Sequence, residues 1–289
     1  MTRSRSPLLL IALLLAPALI GLVVFRLYPI ALAVNDSFFN VLRGQAVFVG
    51  LDNYVSLLID SVFWNSLRVT LWFNLLINPI QIALALGLAL LYVQNFKGVT
   101  LYRVLFLIPI GVSLPTAVLI WRIILSQDGL VNGIIGIAGV PAQPWLTSAS
   151  FALYSVIAIA TWKGISYWMI FIIGGLQNIS PEIYDAARID GVKPWQRLLF
   201  ITIPLLKPTL LFVLVADVSI NFLLFAPIFM LTQGGPADST NVLMYEAYKS
   251  GFVFGDMGRA MAIIVVVVLI LLVIVGLQFR LLNGRKEAA

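Results

Sequence analysis

The sequence predicts an all-α membrane protein with six transmembrane helices, and three observations carry this prediction. The 289-residue chain has a mean hydropathy of +1.05 and only 10% charged residues, a balance typical of membrane proteins. Its apolar residues form six runs, each of about the 20 residues that cross about 30 Å of hydrocarbon. Lys and Arg are more frequent in the loops on one side of the membrane than in those on the other side, which indicates how the six helices are oriented in the membrane.

The six runs follow one another without a long polar stretch, so residues 1–289 are expected to form a single transmembrane domain. The first run follows Arg3 and Arg5 and could be mistaken for a signal peptide. It is longer than the usual signal core and five more runs follow, so we interpret it as an uncleaved span. The predicted spans are residues 7–27, 69–93, 104–125, 151–173, 209–231 and 260–282.

Counting Lys and Arg residues predicts that both termini are cytoplasmic. With this orientation Lys163 lies within a span, six basic residues lie on the outer side or at outer span ends, and eleven lie on the inner side. The inner residues are Arg3, Arg5, Lys97, Arg103, Arg188, Lys193, Arg197, Lys207, Arg280, Arg285 and Lys286. The outer residues are Arg26, Arg43, Arg68, Arg122, Lys249 and Arg259. Most acids outside the spans lie on the outer side, Glu287 being one of the few expected inside.

The amino-acid composition also excludes several kinds of active site. The chain has no cysteine and no histidine, so it has no disulfide framework, no thiolate chemistry and no general base of the usual kind. It has no Gly-Lys dipeptide, which excludes a phosphate-binding loop of the G-x-x-x-x-G-K-[ST] type. A net charge of +6 does not indicate nucleic acid binding here, because in a membrane protein the distribution of charge matters more than its sum.

Residues 176–208, between the fourth and fifth spans, form a polar insert of mixed charge. Ser180 and Pro181 suit the start of a helix, and Gly191 suits the position just after its end. The insert therefore predicts a helix over 181–190, too short to be stable alone in water. A solvated loop with a helical turn would be the alternative. Lys193-Pro194-Trp195 is expected to begin a second short segment.

The spacing from Asp185-Ala186-Ala187 through Gly191 to Ile201-x-Ile203-Pro204 resembles the Glu-Ala-Ala, x3, Gly, x9, Ile-x-Leu-Pro motif. That motif belongs to the membrane subunits of binding-protein-dependent ATP-binding-cassette (ABC) importers. Asp185 and Ile203 depart from it conservatively. The resemblance implies that the helix is a coupling helix, which docks on a cytoplasmic ATPase. The residues it assigns to coupling are Glu182, Asp185, Ala186, Ala187, Asp190 and Gly191.

Two further stretches resemble the carbohydrate-uptake branch of these importers. One is residues 48–54, Phe-Val-Gly-Leu-Asp-Asn-Tyr, and the other is residues 231–236, Leu-Thr-Gln-Gly-Gly-Pro. The second is typical of the first of two paired permeases in sugar and glycerol-phosphate importers. Ala226 departs from the family, where many relatives have Asp. The resemblance implies a non-catalytic permease for a sugar or related polyol derivative in the bacterial inner membrane.

The same resemblance implies the partners. They would be a second homologous permease, a homodimeric ABC ATPase, an extracytoplasmic solute-binding protein and the surrounding lipid. The chain itself would bind no cofactor, whereas ATP and Mg would be held by the ATPase subunits. A membrane scaffold without a transport path fits poorly with two charges deep in the spans.

Those charges are Lys163 in the fourth span and Asp217 in the fifth, at nearly equal predicted depth. A structural Lys–Asp bridge and a role in the translocation path are both open, and the two can coexist. The pair would equally serve a self-sufficient ion-coupled carrier or channel, which is the alternative function. Asn74, Asn78 and Gln81 of the second span could hold helices together.

Around the two charges, aromatic and amide side chains suit a sugar ring, although in membrane helices such residues commonly serve packing. The resemblance favours mid-span positions of the fourth and fifth helices for this role. The candidate residues for the substrate path are Trp162, Lys163, Tyr167, Trp168, Asp217, Asn221 and Phe225.

Overall fold

The computed structural model describes residues 7–42, 45–94 and 97–283. It forms two compact units, which are described separately below. One comprises the described residues up to Trp64 with Glu246–Leu269, and the other comprises Asn65–Tyr245 with the described residues from Ile270 onward. Six charged residues used in the orientation prediction lie outside the described residues: Arg3, Arg5, Arg43, Arg285, Lys286 and Glu287.

The described chain is mainly helical. Its α-helices are α1 Pro7–Leu22, α2 Tyr28–Asp36, α3 Asp52–Ile59, α4 Ser61–Tyr92, α5 Val99–Gly111, α6 Leu114–Ile124, α7 Leu130–Ile137, α8 Ala152–Gln177, α9 Pro181–Ile189, α10 Pro194–Arg197, α11 Ile203–Phe222, α12 Ala226–Leu231, α13 Leu243–Tyr248 and α14 Met257–Asn283. Three π-helical turns continue helices at Val23–Leu27, Leu198–Thr202 and Lys249–Val253.

Within these residues, five helices are long and apolar enough to cross a membrane. They are Ile11–Asp36, Ser61–Tyr92, Ala152–Gln177, Pro194–Leu231 and Met257–Arg280. A sixth span results if α5 and α6 are counted together, but they meet at an angle of 109°. The predicted third span, residues 104–125, falls on this bent pair, and the break is described with the site below.

The spanning helices are longer than the apolar runs that predicted them. The first continues beyond residue 27 to Asp36, and the second begins at Ser61 instead of residue 69. Hydropathy marks only the part of a helix that suits hydrocarbon, while backbone hydrogen bonds continue into polar sequence. None of the described side chains between Ile11 and Asp36 is buried, so this apolar helix presents its surface outward.

The fifth span begins far earlier than residue 209, because α10, a π-helical turn and α11 form one continuous helix from Pro194. Pro204 has no N–H to donate to the preceding turn, and a π-helical turn immediately before α11 accommodates it in the first turn of that helix. The chain departs from helix at residues 223–225, before α12 completes the span.

One element departs from the all-α prediction. Phe39–Leu42 and Gln45–Phe48 pair as antiparallel strands β1 and β2, with Phe39 opposite Phe48 and their rings 5.4 Å apart. The aromatic and β-branched residues Phe39, Val41, Val47 and Phe48 in these short segments suit a strand more than a helix. The hairpin leaves the predominantly helical membrane class unchanged.

The larger unit is centred on α8. Half of the most apolar window of this helix is buried, and it packs against α5 and α11. The C-terminal half of α8 joins a core with the small residues Ala85 and Ala89 of α4 and with Leu206 and Val213 of α11. Gly175 brings α8 close to α11, because a Cβ at this position would overlap the side chain of Thr209. Small residues at such crossings let membrane helices pack by van der Waals contact.

The smaller unit is held by a partly buried ionic network. The Arg259 guanidinium contacts Asp60 at 2.5 Å and Glu246 at 3.3 Å, and Lys249 pairs with Glu246 at 3.0 Å. Burial alone would raise the pKa of Asp60, but the backbone N–H of Val62 and the Arg259 guanidinium hold the pKa of this carboxyl below its usual value. The network ties the start of α4 to the start of α14.

In the same unit Gly258 allows a close approach near the N-terminus of α14. A Cβ at this position would overlap the carbonyl oxygen of Phe39 and the side chains of Asn40 and Asn53. The Asn53 amide itself donates to the carbonyls of Ser37 and Phe39 at 2.8 and 3.2 Å. Any side chain at 258 would therefore displace backbone that cannot easily move.

We expect Gly258→Ala to lower stability by about 1–3 kcal/mol, because the added methyl group overpacks this contact. Gly276→Ala in the same helix is the matched control, since no atom lies within 4 Å of its Cβ position and alanine favours helix by up to about 1 kcal/mol. Thermal unfolding in detergent, followed by tryptophan fluorescence, measures both. Equal midpoints for the two variants would contradict the close contact at Gly258.

Candidate functional site

The third span is broken in the middle. Between α5 and α6, Val112 and Ser113 adopt extended backbone conformations. The Ser113 hydroxyl accepts the backbone N–H of Thr116 at 3.3 Å, and Pro115 occupies the first turn of α6. A cap followed by proline starts a new helix, so the last carbonyl groups of α5 lose the partners that a continuous helix would give them.

Lys163 supplies those partners. Its ammonium group donates to the carbonyl oxygens of Pro109 at 2.9 Å and Val112 at 2.6 Å. These carbonyls form the negative end of α5, which favours a positive charge. Lys163 therefore stabilises the break by capping α5 from the neighbouring helix α8.

Asp217 of α11 has different partners. Its Oδ1 accepts Nε1–H of Trp168 at 2.6 Å and the amide of Asn221 at 3.0 Å. The residue is only 1% exposed, and its Oδ2 has no hydrogen-bond partner among the described residues. A direct Lys163–Asp217 bridge, one of the two interpretations left open by the sequence, is not formed in this structure. The lysine instead donates to helix-end carbonyls, and Asp217 accepts from neutral N–H donors.

Amide side chains extend this polar cluster to a third helix. The Asn221 amide nitrogen lies 2.7 Å from Oδ1 of Asn78 and 3.1 Å from Oε1 of Gln81. Gln81 in turn donates to the carbonyl of Ala160 at 2.9 Å. Asn78 and Gln81 thus hydrogen-bond between helices as the sequence suggested, whereas the recorded hydrogen bonds of Asn74 stay within α4.

The cluster borders a cavity of about 270 Å³, which we call the central cavity. Five of the predicted substrate-path residues line it, and they are Lys163, Tyr167, Trp168, Asp217 and Asn221. Trp162 and Phe225 do not. Trp162 packs edge-on against Trp121, and Phe225 stacks on Phe229 at 5.3 Å. Both of these side chains make packing contacts with other aromatic rings.

Sequence reasoning missed part of the lining. Gln81 and Gly164 contribute from α4 and α8, and Ile110 and Leu114 contribute from the two sides of the break. The signal for the break was present as Gly111-Val112-Ser113-Leu114-Pro115, a capping serine before a proline inside an apolar run. Hydropathy averages conceal such a signal.

The central cavity offers hydrogen bonds and aromatic surface. Tyr167 is 45% exposed and meets Trp168 edge-to-face at 4.8 Å. Throughout the described ranges, no group of three or more acidic residues is placed to hold a metal ion. The arrangement can therefore orient a polar ligand by donors, acceptors and ring faces.

The predicted coupling residues lie on and beside α9, which ends at Ile189 and is followed by Gly191 in a left-handed conformation with φ of +72°. Ser180 occupies the N-cap position, but its side chain accepts no cap hydrogen bond, so that detail of the prediction is wrong. Ala187 is 5% exposed and faces the protein. The other assigned residues are exposed, and they are Glu182, Asp185, Ala186, Asp190 and Gly191.

A larger, almost wholly apolar cavity of about 780 Å³ lies between α4 and α11. Lys207, Asn74 and Asn78 are the polar side chains in its lining. It offers fewer convergent donors and acceptors than the central cavity, which is therefore the better candidate for a polar ligand.

Comparison with known proteins identifies the family. Residues 81–287 match the model of the binding-protein-dependent transport system inner membrane component. The chain is 36% identical over 280 residues to the lactose transport system permease protein LacF of Rhizobium radiobacter, covering 95% of this chain and 94% of that protein. It is 34% identical over 280 residues to the sn-glycerol-3-phosphate transport system permease protein UgpA of Agrobacterium fabrum, covering 94% of each.

The fold has a solved counterpart. A chain of a bacterial ABC transporter involved in the import of the acidic polysaccharide alginate superimposes with a TM-score of 0.80, covering 96% of both chains at 23% identity. At that identity the likeness concerns the fold. The match over residues 81–287 and the identities of 36% and 34% to the two permeases show that this chain belongs to the family of binding-protein-dependent transport system inner membrane components.

Proposed function

We propose that the chain is the permease subunit of an ATP-driven ABC importer that moves a saccharide or related polyol derivative across the bacterial inner membrane. The observation that carries the proposal is the central cavity, in which charged, amide and aromatic side chains converge between membrane-spanning helices. Two of the relatives are a lactose and a glycerol-phosphate permease, which favours the same substrate class here.

The chemistry of the central cavity suits a polyol. Asp217 and Gln81 supply acceptor oxygens, the ammonium group of Lys163 has a third N–H beyond its two carbonyl contacts, and the ring of Tyr167 offers an apolar face. A sugar needs all three, because its hydroxyl groups both donate and accept while its C–H faces stack on aromatic rings. At about 270 Å³, the cavity lies just below the usual range of about 300–1,000 Å³ for small-molecule sites, which suits a ligand of monosaccharide size.

We assign the coupling role to α9. Ala187 and Tyr184 hold one side of this short helix against the protein, and the opposite side presents Glu182, Asp185 and Ala186. Ile189, next to Asp190, is 87% exposed. A surface with small, acidic and protruding apolar residues offers another protein close contact, a pocket-filling anchor and charge complementarity.

The partners follow from this assignment. Two ATPase subunits would hold ATP and Mg and dock on α9 and its counterpart in a second permease. An extracytoplasmic binding protein would deliver the substrate, as in the related alginate transporter solved with a pentasaccharide-bound periplasmic protein. With both termini in the cytoplasm, α9 lies on the ATPase side of the membrane, in line with the excess of inner Lys and Arg.

An ion-coupled carrier is the weaker interpretation. A carrier that worked through a Lys163–Asp217 relay would need the two groups to exchange a proton or an ion. Lys163 instead contacts two carbonyl oxygens, and Asp217 contacts Trp168 and Asn221. The family match also favours binding-protein-dependent transport over a self-sufficient carrier.

Blocking the exposed side of α9 should uncouple the importer. We expect Ala186→Trp to reduce substrate-stimulated ATP hydrolysis at least about tenfold in the reconstituted complex, because a bulky ring prevents close docking. The thermal stability of the isolated permease should not change, since Ala186 is exposed. Ile137→Trp, on the exposed surface of α7, is the control. Full ATPase stimulation in Ala186→Trp would overturn the assignment of α9.

A methyl group beside the central cavity should impair transport. A Cβ at Gly164 would overlap the Gln81 amide, which contacts both Ala160 and Asn221. We expect Gly164→Ala to lower uptake by about tenfold by displacing this amide, since a shift of about 1 Å in a binding group can cost up to about a hundredfold. Gly174→Ala in the same helix has open space around its Cβ and should transport normally. Equal uptake by both variants would remove the central cavity from the pathway.

The two charges should behave as independent groups in stability. We expect Lys163→Met to cost about 1–3 kcal/mol, because it leaves the carbonyls of Pro109 and Val112 without their donor. Asp217→Asn keeps an acceptor for Trp168, so it should affect uptake more than folding. In a double-mutant cycle on thermal stability, the two losses should add. Rescue of Lys163→Met by Asp217→Asn would instead indicate that the two charges pair in another transport state.

A further inference from the structure

A second polar cavity lies at the end of the bundle that carries α9. Its volume is about 480 Å³, and we call it the α9 cavity. The final turns of α4 and α8 form its apolar wall, with Leu90, Val93 and Leu176. The helix α9 and the start of the next helix form its polar wall. None of its lining residues lines the central cavity.

The polar wall carries an excess of positive charge. Arg188 and Arg197 both line the α9 cavity, and Asp185 is the acid beside them. Asp185 pairs with Arg188 at 3.4 Å, with both side chains largely exposed, so water screens this pair. The guanidinium of Arg197 lies 5.7 Å from the centre of the Tyr184 ring, and it forms no ion pair or hydrogen bond with any described residue. Its planar set of donors is therefore available to a ligand.

The backbone adds to this positive field. Pro181, the first residue of α9, also lines the cavity, and the Ser180 side chain does not cap the helix. The N-terminal end of α9, with its partial positive charge, therefore borders the cavity that holds the two arginines. A planar guanidinium and a helix N-terminus both favour a phosphate group.

The position of the α9 cavity favours a ligand that also has an apolar part. The spanning helix α4 ends at Tyr92, so Leu90 and Val93 lie where hydrocarbon gives way to polar surroundings. A ligand in this cavity would meet aliphatic side chains on one wall and guanidinium groups on the other. Basic pockets between spanning helices bind anionic lipid head groups for this reason.

From these observations we infer that the α9 cavity binds a phosphate-bearing anion, with Arg197 and Arg188 as its ligands. The phosphate could belong to an anionic phospholipid or be free in solution, and the two sources share the same recognition chemistry. The inference concerns binding alone, so it does not require α9 to dock on an ATPase.

Thiol protection tests the inference on the full-length chain in detergent. The chain contains no cysteine, so Gln177→Cys places a single reporter in the lining of the α9 cavity. Ile189→Cys, on the exposed side of α9, is the control reporter. The rate of labelling by a thiol reagent is measured with added dioleoyl phosphatidylglycerol, dioleoyl phosphatidylcholine or inorganic phosphate.

We expect phosphatidylglycerol to slow labelling of Gln177→Cys while leaving Ile189→Cys unchanged, and zwitterionic phosphatidylcholine to protect much less. Adding Arg197→Gln should weaken the protective affinity roughly tenfold or more, because a charge-assisted hydrogen bond is lost. Lys97→Gln, which removes an exposed charge outside the cavity, should not weaken it. Protection by inorganic phosphate that also depends on Arg197 would support the inference and identify a soluble anion as the ligand.

Three results would overturn the inference. They are the absence of protection by either phosphate source, equal protection by phosphatidylcholine and phosphatidylglycerol, and full protection in a variant combining Arg188→Gln and Arg197→Gln. If Arg197→Gln does not fold, Arg197→Lys keeps the charge but loses the planar fork, and it should bind measurably more weakly. The labelling rates of Gln177→Cys and Ile189→Cys in chains that keep both arginines can be measured whether or not the arginine variants fold.

Discussion

The contact between the Lys163 ammonium and the carbonyls of Pro109 and Val112 is the interaction on which the interior of the larger unit depends. Inside a bilayer, a helix can break only where other groups satisfy its freed backbone atoms, since each unsatisfied group costs several kcal/mol in hydrocarbon. Lysine meets this need from the neighbouring helix, and its own charge is stabilised by the end of α5. The break that it permits places Ile110 and Leu114 on one wall of the central cavity.

The polar part of the cavity lining is organised by Asn221. Its amide contacts Asp217 in its own helix and both Asn78 and Gln81 in α4, while Trp168 of α8 donates to Asp217. Three spanning helices therefore meet through one set of hydrogen bonds, which fixes their rotation about their own axes. Towards the C-terminal ends of α4 and α8 the contacts between the helices become apolar, with Ala85, Met169 and Leu206 in one core. Hydrogen bonds between polar residues thus hold the helices together around the cavity, whereas apolar packing holds together the part of the unit that contains the C-terminal half of α8.

Much of this architecture could be predicted from sequence, because hydrocarbon imposes a strong requirement on composition and length. Apolar runs located five spans, and the Pro181 and Gly191 positions located α9. The partner of Lys163 could not be predicted, because the sequence displays charges but not the carbonyls that a break leaves free. Depth along the helices suggested Asp217, whereas the structure selects two backbone oxygens. For the same reason hydropathy found the third span but missed its bend of 109°.

The two ends of the larger unit are joined by α11 and the short segments before it. From Pro194, close in sequence to α9, the helix runs without interruption through Asp217 and Asn221 and ends at Phe222. The distance from Pro194 to Asp217 is about 35 Å at about 1.5 Å per residue. The chain departs from helix at residue 223, two residues after Asn221, the last residue of α11 that contacts the amide network. One continuous helix therefore connects the α9 end of the unit to the central cavity, and α12 begins only after the interruption that follows Phe222.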